Sequence, residues 1–172
     1  ISASLVGSEM CIRDRFMNLF DLIKPEAVKV IANVSSKKRL MQNLAEHTET
    51  IYGIESDSAL QALLEREGLG STGVGQGVAL PHARIRDLSA VSGVFMLLEK
   101  PIDFGAVDRQ PVDVVFCLFA PEAAGVEHLK ALALVSRTLR EPSICAKLRA
   151  NPDAAKIYTI LTEFENEPFF RD

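Results

Sequence analysis

The sequence predicts one α/β domain, a mixed β-sheet flanked by helices, and three observations support this fold class. The chain has 172 residues, close to the roughly 150 residues of a typical domain. Two continuous apolar runs, residues 91–98 and 112–120, are typical of central strands buried on both faces. Apolar side chains at helical spacing precede and follow these runs without strict alternation of helix and strand, which predicts a mixed sheet.

The segment before the first apolar run is predicted to begin with a short helix, a strand and a longer helix. A helical turn over residues 18–23 ends before Pro25, and residues 28–34 follow as a strand. The longer helix begins at Ser36 and ends at Gly53, and its inward face follows the spacing i, i+4, i+7 and i+11. The residues of that face are Leu40, Leu44, His47 and Ile51.

A further helix is predicted to start at Asp57 or Ser58, because Gln61 stands three residues after Ser58 as in a capping box. Gly68 and Gly70 end this helix. Its predicted buried side consists of leucines: Leu60, Leu63 and Leu64.

The segment after the second apolar run is predicted to be helical. A long helix begins at Val126 and is broken by Pro142, a shorter piece continues through Leu148, and a last helix covers residues 152–163. The inward residues of the long helix are predicted to be Leu129, Leu132, Ala133 and Leu139. Those of the last helix are Ile157, Ile160 and Leu161.

The chain is predicted to divide into a leader over residues 1–16, one domain over residues 17–165 and a tail over residues 166–172. The leader has no helix or strand period, and it lacks the basic start and long apolar centre of a secretion signal. It resembles a translated sequencing adapter joined to a reading frame that starts at Met17. The alternative is a disordered native tail. Cys11 therefore takes no part in the predicted function.

Composition disfavours several classes of function. Nineteen Lys and Arg against 23 Asp and Glu give a net charge of −4, so no overall attraction to nucleic acid is predicted. The longest apolar run, residues 112–120, contains Asp113, whereas a spanning helix needs about 20 apolar residues, so no membrane insertion is expected. Cys11, Cys117 and Cys145 form neither a metal motif nor a paired disulfide framework, which favours a reducing, cytoplasmic location.

A glycine-rich segment, residues 70–84, separates the predicted helices from the first apolar run. Four glycines within eight residues disfavour a helix there. Gly73, Gly75 and Gly77 resemble half of a dinucleotide fingerprint, but that fingerprint opens a helix, whereas residues 78–81 continue as extended chain. A Walker lysine, HExxH, CxxC and clustered carboxylates are all absent from the sequence. No cofactor and no metal are therefore predicted.

His82 is the first candidate functional residue. It follows Pro81, whose ring fixes its own backbone φ, so the imidazole is predicted to project from rigid backbone into accessible space. An imidazole with an ordinary pKa of about 6.5 is mostly neutral at cytoplasmic pH. Its free lone pair then makes it a competent nucleophile toward a phosphoryl group. The alternative interpretation is an exposed loop histidine.

Arg66 is the second candidate, since something must meet the negative charge of a transferring phosphoryl group. It precedes the glycines at the end of its helix, and a planar guanidinium suits pairs of phosphoryl oxygens. The backbone N–H groups of residues 71–77 could add donors, because glycines let the backbone approach an anion closely. Alternatively, Arg66 pairs with neighbours on its own helix.

His128 is the third candidate, in the first turn of the long predicted helix. The positive end of a helix favours a neutral imidazole and attracts phosphate. The alternative is a histidine that caps the helix or packs at the edge of the core. His47 is interpreted as a half-buried packing residue, and Cys117 and Cys145 as buried thiols.

These candidates stand within motifs that resemble a known family. Residues 64–67 (Leu-Glu-Arg-Glu) and 70–83 (GSTGVGQGVALPHA) resemble the mannitol/fructose-type IIA domain of the bacterial phosphoenolpyruvate-dependent phosphotransferase system, and within it the nitrogen-regulatory branch. Further matches, in a resemblance that covers residues 17–163, are residues 100–104, 110–113, 120–122 and 127–133. Ala83 and Arg84 stand where many members have Gly-Lys, which keeps a small residue and a positive charge.

The resemblance implies an α/β fold with a mixed sheet and a phosphoryl group carried on His82. The donor would be phosphohistidine on an HPr-like carrier protein, and Arg66 and His128 match the other two active-site residues of the family. The resemblance also implies pocket residues from the glycine-rich segment: Ser71, Thr72 and Gly73.

Three functions stay open. The leading prediction is a regulatory phosphocarrier whose phosphorylation state acts on target proteins such as potassium-transport or sensor-kinase proteins. The second is a fructose- or mannitol-specific IIA component that passes phosphate to a IIB cysteine in sugar uptake. The third, of a different class, is a docking module that is not phosphorylated. A metal- or nucleotide-binding domain has no supporting motif.

Overall fold

The computed structural model describes residues 17–163, which form six helices and six strands. The helices are α1 (Leu19–Leu22), α2 (Lys37–Tyr52), α3 (Ser56–Gly68), α4 (Gly125–Arg140), α5 (Pro142–Ala150) and α6 (Ala154–Glu163). The strands are β1 (Ile23–Ile31), β2 (Gly73–Gly75), β3 (Val78–Ala79), β4 (His82–Ile85), β5 (Ser92–Ile102) and β6 (Val112–Pro121). The predicted leader with Cys11, and the predicted tail over residues 166–172, lie outside the described residues.

The strands form one mixed sheet in the order β1-β5-β6-β3-β2, and β4 also pairs with β6. β5 and β6 are antiparallel, whereas β1 runs parallel to β5, and both β3 and β4 run parallel to β6. β3 and β4 pair with successive parts of β6, so that Val78 lies beside Val114 and His82 beside Leu118. The predicted fold class, a single α/β domain with a mixed sheet, is confirmed.

The two apolar runs form the centre of the core, as predicted. Residues 94–98 and 114–120 are all buried, and because successive side chains of a strand point to opposite faces, both faces of β5 and β6 are covered. The rings of Phe95 and Phe116 meet edge to face, with centroids 6.2 Å apart. Helix α4 packs against β6, α6 against β1, α2 against β5 and α3 against β4.

Helix α2 begins and ends as predicted. Ser36 Oγ accepts a hydrogen bond from the backbone N–H of Arg39 at 3.1 Å, which satisfies one of the free donors of the first turn. Gly53 ends the helix with a φ of 71°, a left-handed conformation that glycine adopts without a steric penalty. The predicted half-burial of His47 is confirmed as well.

The predicted bounds of β1 and the predicted start of α3 are wrong. β1 covers Ile23–Ile31 rather than residues 28–34, and its register with β5 shifts between Ile23 and Val28, around a proline that cannot donate to the ladder. Helix α3 begins at Ser56, before the predicted caps Asp57 and Ser58. Its first backbone N–H donates to the carboxylate of Glu49 at 2.5 Å, so the cap comes from the preceding helix.

The predicted inward faces of α3 and α4 are partly wrong. In α3, Leu63 is buried as predicted, Leu60 is half-buried and Leu64 is exposed. In α4, Leu129 and Ala133 point to solvent. The buried face of α4 consists of His128, Ala131, Leu134, Val135, Thr138 and Leu139. The spacing alone allowed two neighbouring faces, and the packing of α4 on β6 selects the one that carries His128.

The glycine-rich segment folds as a small antiparallel hairpin of β2 and β3, so the predicted absence of a helix is confirmed. Gln76 and Gly77 form its turn with φ values of 57° and 79°, and a two-residue hairpin turn with two positive φ angles favours glycine. A Cβ atom at Gly73 would lie 2.8 Å from Ala106 Cβ. The hairpin therefore needs a glycine there to pack against the neighbouring loop.

Candidate active site

His82 is the first residue of β4 and is held by hydrogen bonds at both ring nitrogens. Nδ1 lies 3.0 Å from the backbone oxygen of Leu80. A carbonyl oxygen only accepts, so Nδ1 carries the proton and donates it. Nε2 accepts a hydrogen bond from Nε of Arg66 at 3.2 Å. These two contacts select the tautomer in which Nε2 carries the lone pair.

Arg66 lies in the last turn of α3 and reaches across to β4. Besides its bond to His82, its guanidinium donates to the backbone oxygen of Gly70 at 3.0 Å. The side chain is thus fixed by the imidazole and by the end of its own helix. A planar guanidinium with remaining N–H donors then lies directly beside the lone pair of His82.

His128 lies in the first turn of α4, and its ring faces that of His82. The ring centroids are 5.5 Å apart and the planes are inclined by 69°. The residue is only 5% exposed, and its Nε2 is buried without a hydrogen-bond partner. An unpartnered polar atom in such a place costs free energy, which a ligand with a polar atom could offset.

Burial is the main influence on the protonation of both rings. It lowers the pKa of His82, as does the positive charge of Arg66, whereas the Leu80 carbonyl and the charge of Glu67 raise it. Burial also lowers the pKa of His128, assisted by the charges of His82 and Arg84. Both rings are therefore neutral at neutral pH, because each pKa lies below its ordinary value of 6.5.

The two histidines and Arg66 line one cleft between α3, β4 and α4. Arg84 adds a second guanidinium to its wall, and exposed leucines form an apolar rim. Leu69 is 85% exposed and Leu129 is 65% exposed. The structure thus brings the three predicted side chains together at an accessible place, whose lining carries two guanidinium groups, the carboxylate of Glu65 and apolar surface.

The predicted pocket residues of the glycine-rich segment lie outside the lining of this cleft: Ser71, Thr72 and Gly73. Their polar groups are engaged within the protein. The Thr72 hydroxyl and backbone N–H donate to Glu67, Ser71 Oγ donates to the backbone oxygen of Phe104, and the Gly73 N–H donates to Ser71 Oγ. Nor is the N–H of Gln76 free, since it donates to Asp108. Most of these bonds go to residues outside the segment, namely Glu67, Phe104 and Asp108, and a contact of the segment with an anion stays a prediction.

Sequence reasoning gave Glu67 no role except as an alternative partner of Arg66 and gave Lys37 none, and the two residues form an ion pair of 2.8 Å. One feature of the sequence points to Glu67: it is an acidic residue in the last turn of a helix, where the helix dipole disfavours a negative charge. Within residues 17–163, no group of three His, Cys, Asp or Glu side chains is placed to hold a metal ion. Cys117 and Cys145 are buried, as predicted.

The fold and the cleft define a class of protein: an α/β domain that presents a half-buried, neutral histidine between an arginine and a second histidine. The family described as "Phosphoenolpyruvate-dependent sugar phosphotransferase system, EIIA 2" matches residues 21–164, and the chain belongs to this family. Its members are phosphocarriers of that system. None of the helices within residues 17–163 is long and apolar enough to cross a membrane.

Relatives within this family carry two kinds of name. The chain is 47% identical over 145 residues to the nitrogen regulatory protein of Bradyrhizobium diazoefficiens, covering 84% of this chain and 95% of the relative. The nitrogen regulatory protein IIA-Ntr of Neisseria meningitidis superposes with a TM-score of 0.77 at 33% identity, covering 82% of this chain and 97% of the other. A fructose-specific EIIA component of Haloferax volcanii is 37% identical over 109 residues, 63% of this chain and 71% of the relative.

Proposed function

We propose that the protein is a regulatory phosphocarrier that accepts a phosphoryl group on Nε2 of His82 from phosphohistidine on an HPr-like carrier protein. The observation that carries this proposal is the contact between Arg66 Nε and His82 Nε2 at 3.2 Å. It places a cation beside the one nitrogen whose lone pair is available. A nucleophile and a donor for the charge of the phosphoryl oxygens therefore share one cleft.

The attacking atom is Nε2, because the Leu80 carbonyl holds the ring proton on Nδ1. Before the attack, the hydrogen bond from Arg66 Nε to Nε2 of His82 must break, so that the lone pair of Nε2 becomes available. The Arg66 guanidinium then turns from the ring nitrogen to the phosphoryl oxygens, while its contact with the Gly70 carbonyl keeps it at the cleft. This movement is short, because the incoming group occupies the space next to the same nitrogen.

In the proposed transfer, one N–P bond breaks and one forms, and no proton has to move. The N–P bond of the donor breaks and its electron pair stays on the donor ring, while Nε2 of His82 supplies the pair for the new N–P bond. His82 keeps its Nδ1 proton, so the phosphorylated ring becomes cationic. The Leu80 carbonyl, 3.0 Å from Nδ1, stabilises that charge by accepting the same hydrogen bond.

His128 is proposed to meet the phosphoryl group from the other side. Its ring lies against that of His82, and its Nε2 has no partner among the described residues. A neutral imidazole can place its proton on either nitrogen, so His128 can donate one hydrogen bond to a phosphoryl oxygen. Its lowered pKa keeps it neutral, and the positive charges at the cleft remain those of the arginines.

The rim of the cleft is suited to docking of a carrier protein. Leu69 and Leu129 expose large apolar side chains at the cleft that holds the two histidines, and exposed apolar patches often mark protein interfaces. Burial of this rim by the donor would exclude water from the transferring group, which strengthens the contacts made by Arg66.

The regulatory role is proposed because two relatives that match more than four-fifths of this chain, at 47% and 33% identity, are named nitrogen regulatory proteins. Targets such as potassium-transport or sensor-kinase proteins would then bind one phosphorylation state. The second candidate is transfer to a IIB cysteine in sugar uptake, which the resemblance to a fructose-specific EIIA component favours. Sugar uptake reconstituted with purified partners separates them: a regulatory protein does not support it.

Labelling tests the phosphocarrier proposal directly. Incubation with an HPr-like donor carrying radiolabelled phosphohistidine is expected to give acid-labile label on the native protein and on His47→Ala. The His82→Ala variant is expected to take none. His47 is the matched control because it is a half-buried histidine on α2, outside the cleft. Failure of the native protein to take label would contradict the proposal and favour the docking module that is not phosphorylated.

A further inference from the structure

Glu67 is a buried carboxylate beside the candidate site that the proposed transfer does not use. Its side chain is only 7% exposed, although it stands in the last turn of α3, where the helix dipole disfavours a negative charge. A buried charge in such a place is retained only where specific partners compensate for lost hydration. The partners of Glu67 therefore indicate what the carboxylate does.

Three groups from two other segments contact the Glu67 carboxylate. The Nζ of Lys37, the first residue of α2, lies 2.8 Å from Oε2. The backbone N–H of Thr72 donates to both oxygens at 3.3 Å, and the Thr72 hydroxyl donates to Oε1. Lys37 Nζ also donates to the backbone oxygen of Phe104 at 3.0 Å. One carboxylate thus ties the end of α3 to α2 and to the start of the glycine-rich segment.

From Glu67, two routes lead to the two ring nitrogens of His82. The first passes through Thr72, whose backbone oxygen accepts from Leu80 N–H at 2.9 Å, and then through the Leu80 carbonyl to Nδ1. The second passes through the adjoining peptide to Arg66, which donates to Nε2. Displacement of the carboxylate would therefore disturb both contacts that set the tautomer and orientation of the imidazole.

We infer that Glu67 is a positioning residue for phosphoryl transfer, which holds the Leu80 carbonyl through its bonds to Thr72 and holds Arg66 through the adjoining peptide, on the two sides of His82. This inference rests on the proposed function. Lys37 neutralises the carboxylate and does not itself approach the ring. The charge of Glu67 also raises the pKa of His82, which provides a readout that needs no phosphoryl donor.

The test compares Glu67→Gln with Glu46→Gln. Both changes remove one negative charge from a helix, but Glu46 is exposed on α2 and lies outside the cleft. Glu67→Gln is expected to slow acceptance of phosphate about 10-fold, since small misplacements of reacting groups cost one to two orders of magnitude. The loss is expected in kcat rather than in KM for the donor, because the rim leucines are unchanged. Glu46→Gln is expected to match the native protein.

Nitrogen NMR of the histidine rings gives the second readout. In Glu67→Gln, the share of His82 rings with the proton on Nδ1 is expected to fall, and the pKa of His82 is expected to fall further. Both are expected to stay unchanged in Glu46→Gln. A residue that only stabilises the fold would lower the unfolding temperature without changing the tautomer of the folded molecules.

A second variant covers the case in which Glu67→Gln does not fold. Thr72→Val removes one hydroxyl donor and keeps the shape of the side chain, and it is expected to change the His82 tautomer in the same direction with a smaller loss of rate. Native kinetics and native His82 spectra in whichever variant folds would overturn the inference. Absence of label on the native protein would instead contradict the proposed function. The NMR comparison would then still show whether Glu67 sets the tautomer of His82.

Discussion

His82 and His128 share one cleft, yet their surroundings differ at the ring nitrogens. Both rings are neutral, because burial is the largest cause of the lowered pKa of each. His82 has a partner at each nitrogen, Leu80 O and Arg66 Nε. His128 is more deeply buried, but its Nε2 has no partner within the described part of the chain.

This difference between the two rings suits the two roles proposed for them in phosphoryl transfer. A nucleophile needs one tautomer and one orientation, and two hydrogen bonds supply both for His82. A residue that donates a hydrogen bond to an incoming phosphoryl oxygen needs a polar atom that is buried from water and has no other partner. Leaving such an atom unpaired costs about 1–3 kcal/mol, a cost that a hydrogen bond to the phosphoryl group would offset in the proposed reaction.

The largest effect is expected from removing the cation beside His82. Arg66→Ala is expected to slow phosphorylation about 100-fold or more, because loss of one preorganised donor to a developing charge has effects of that size. Arg66→Lys should recover only part of the rate, since an ammonium lacks the planar pair of donors. Rates of label uptake measure both variants.

The matched control for Arg66 is Arg86→Ala. Arg86 directly follows β4, and its ion pair with Glu122 is long and exposed, at 3.8 Å. Its loss is expected to leave the rate unchanged. Equal rates for Arg66→Ala and Arg86→Ala would show that the contact with His82 has no role in transfer.

A smaller effect is expected from His128. His128→Asn removes the free ring nitrogen and is expected to slow transfer about 10-fold, since one hydrogen bond worth about 1.4 kcal/mol corresponds to that factor. His47→Asn serves as control, and unfolding curves check that both variants are folded. A loss of stability without a loss of rate would mean that His128 is a packing residue.

The next prediction concerns Arg84, whose charge is expected to affect the pKa of His128 but not that of His82. Arg84 lowers the pKa of His128 and is not among the causes acting on His82. Arg84→Met is therefore expected to raise the pKa of His128 and to leave that of His82 unchanged, as followed by NMR titration. A change in the pKa of His82 without a change in the pKa of His128 would show that Arg84 acts on His82 instead, and would contradict the prediction.

The smallest expected effect is on stability. The pKa values of His47, His82 and His128 all lie below the 6.5 of an unfolded chain. As the pH falls below about 6.5, the unfolded state takes up protons that the folded state does not, so the free energy of unfolding decreases. Urea unfolding between about pH 7 and pH 5 measures this slope. Replacement of the two cleft histidines by Asn should reduce it, and an unchanged slope would contradict their burial as neutral rings.

The sequence predicted most of the fold because the informative patterns are local. The continuous apolar runs specified β5 and β6, and Ser36 and Gly53 specified both ends of α2. Errors arose where a tertiary neighbour decides. Glu49 caps α3 from the preceding helix, and the packing of α4 on β6 turns Leu129 outward.

The residues of the candidate site could also be predicted only where the signal is local in the sequence. His82, Arg66 and His128 stand in recognisable motifs, so their types and order were readable, whereas their distances were not. The bond that turns Thr72 toward Glu67 has no local signal in the sequence, and the role of the glycine-rich segment in the pocket stays a prediction. The role now proposed for Glu67 depends on Lys37, which is 30 residues away in the sequence, and no local pattern connects the two.

The central claim is that Nε2 of His82 carries the phosphoryl group. Nitrogen and phosphorus NMR of the protein, labelled in its histidine rings and phosphorylated by an HPr-like donor, measures which ring nitrogen is bonded to phosphorus. The expected result is coupling to phosphorus at Nε2 of His82 alone, with the proton retained on Nδ1. Phosphorus bonded to Nδ1 of His82, or to a ring nitrogen of His128, would contradict the account.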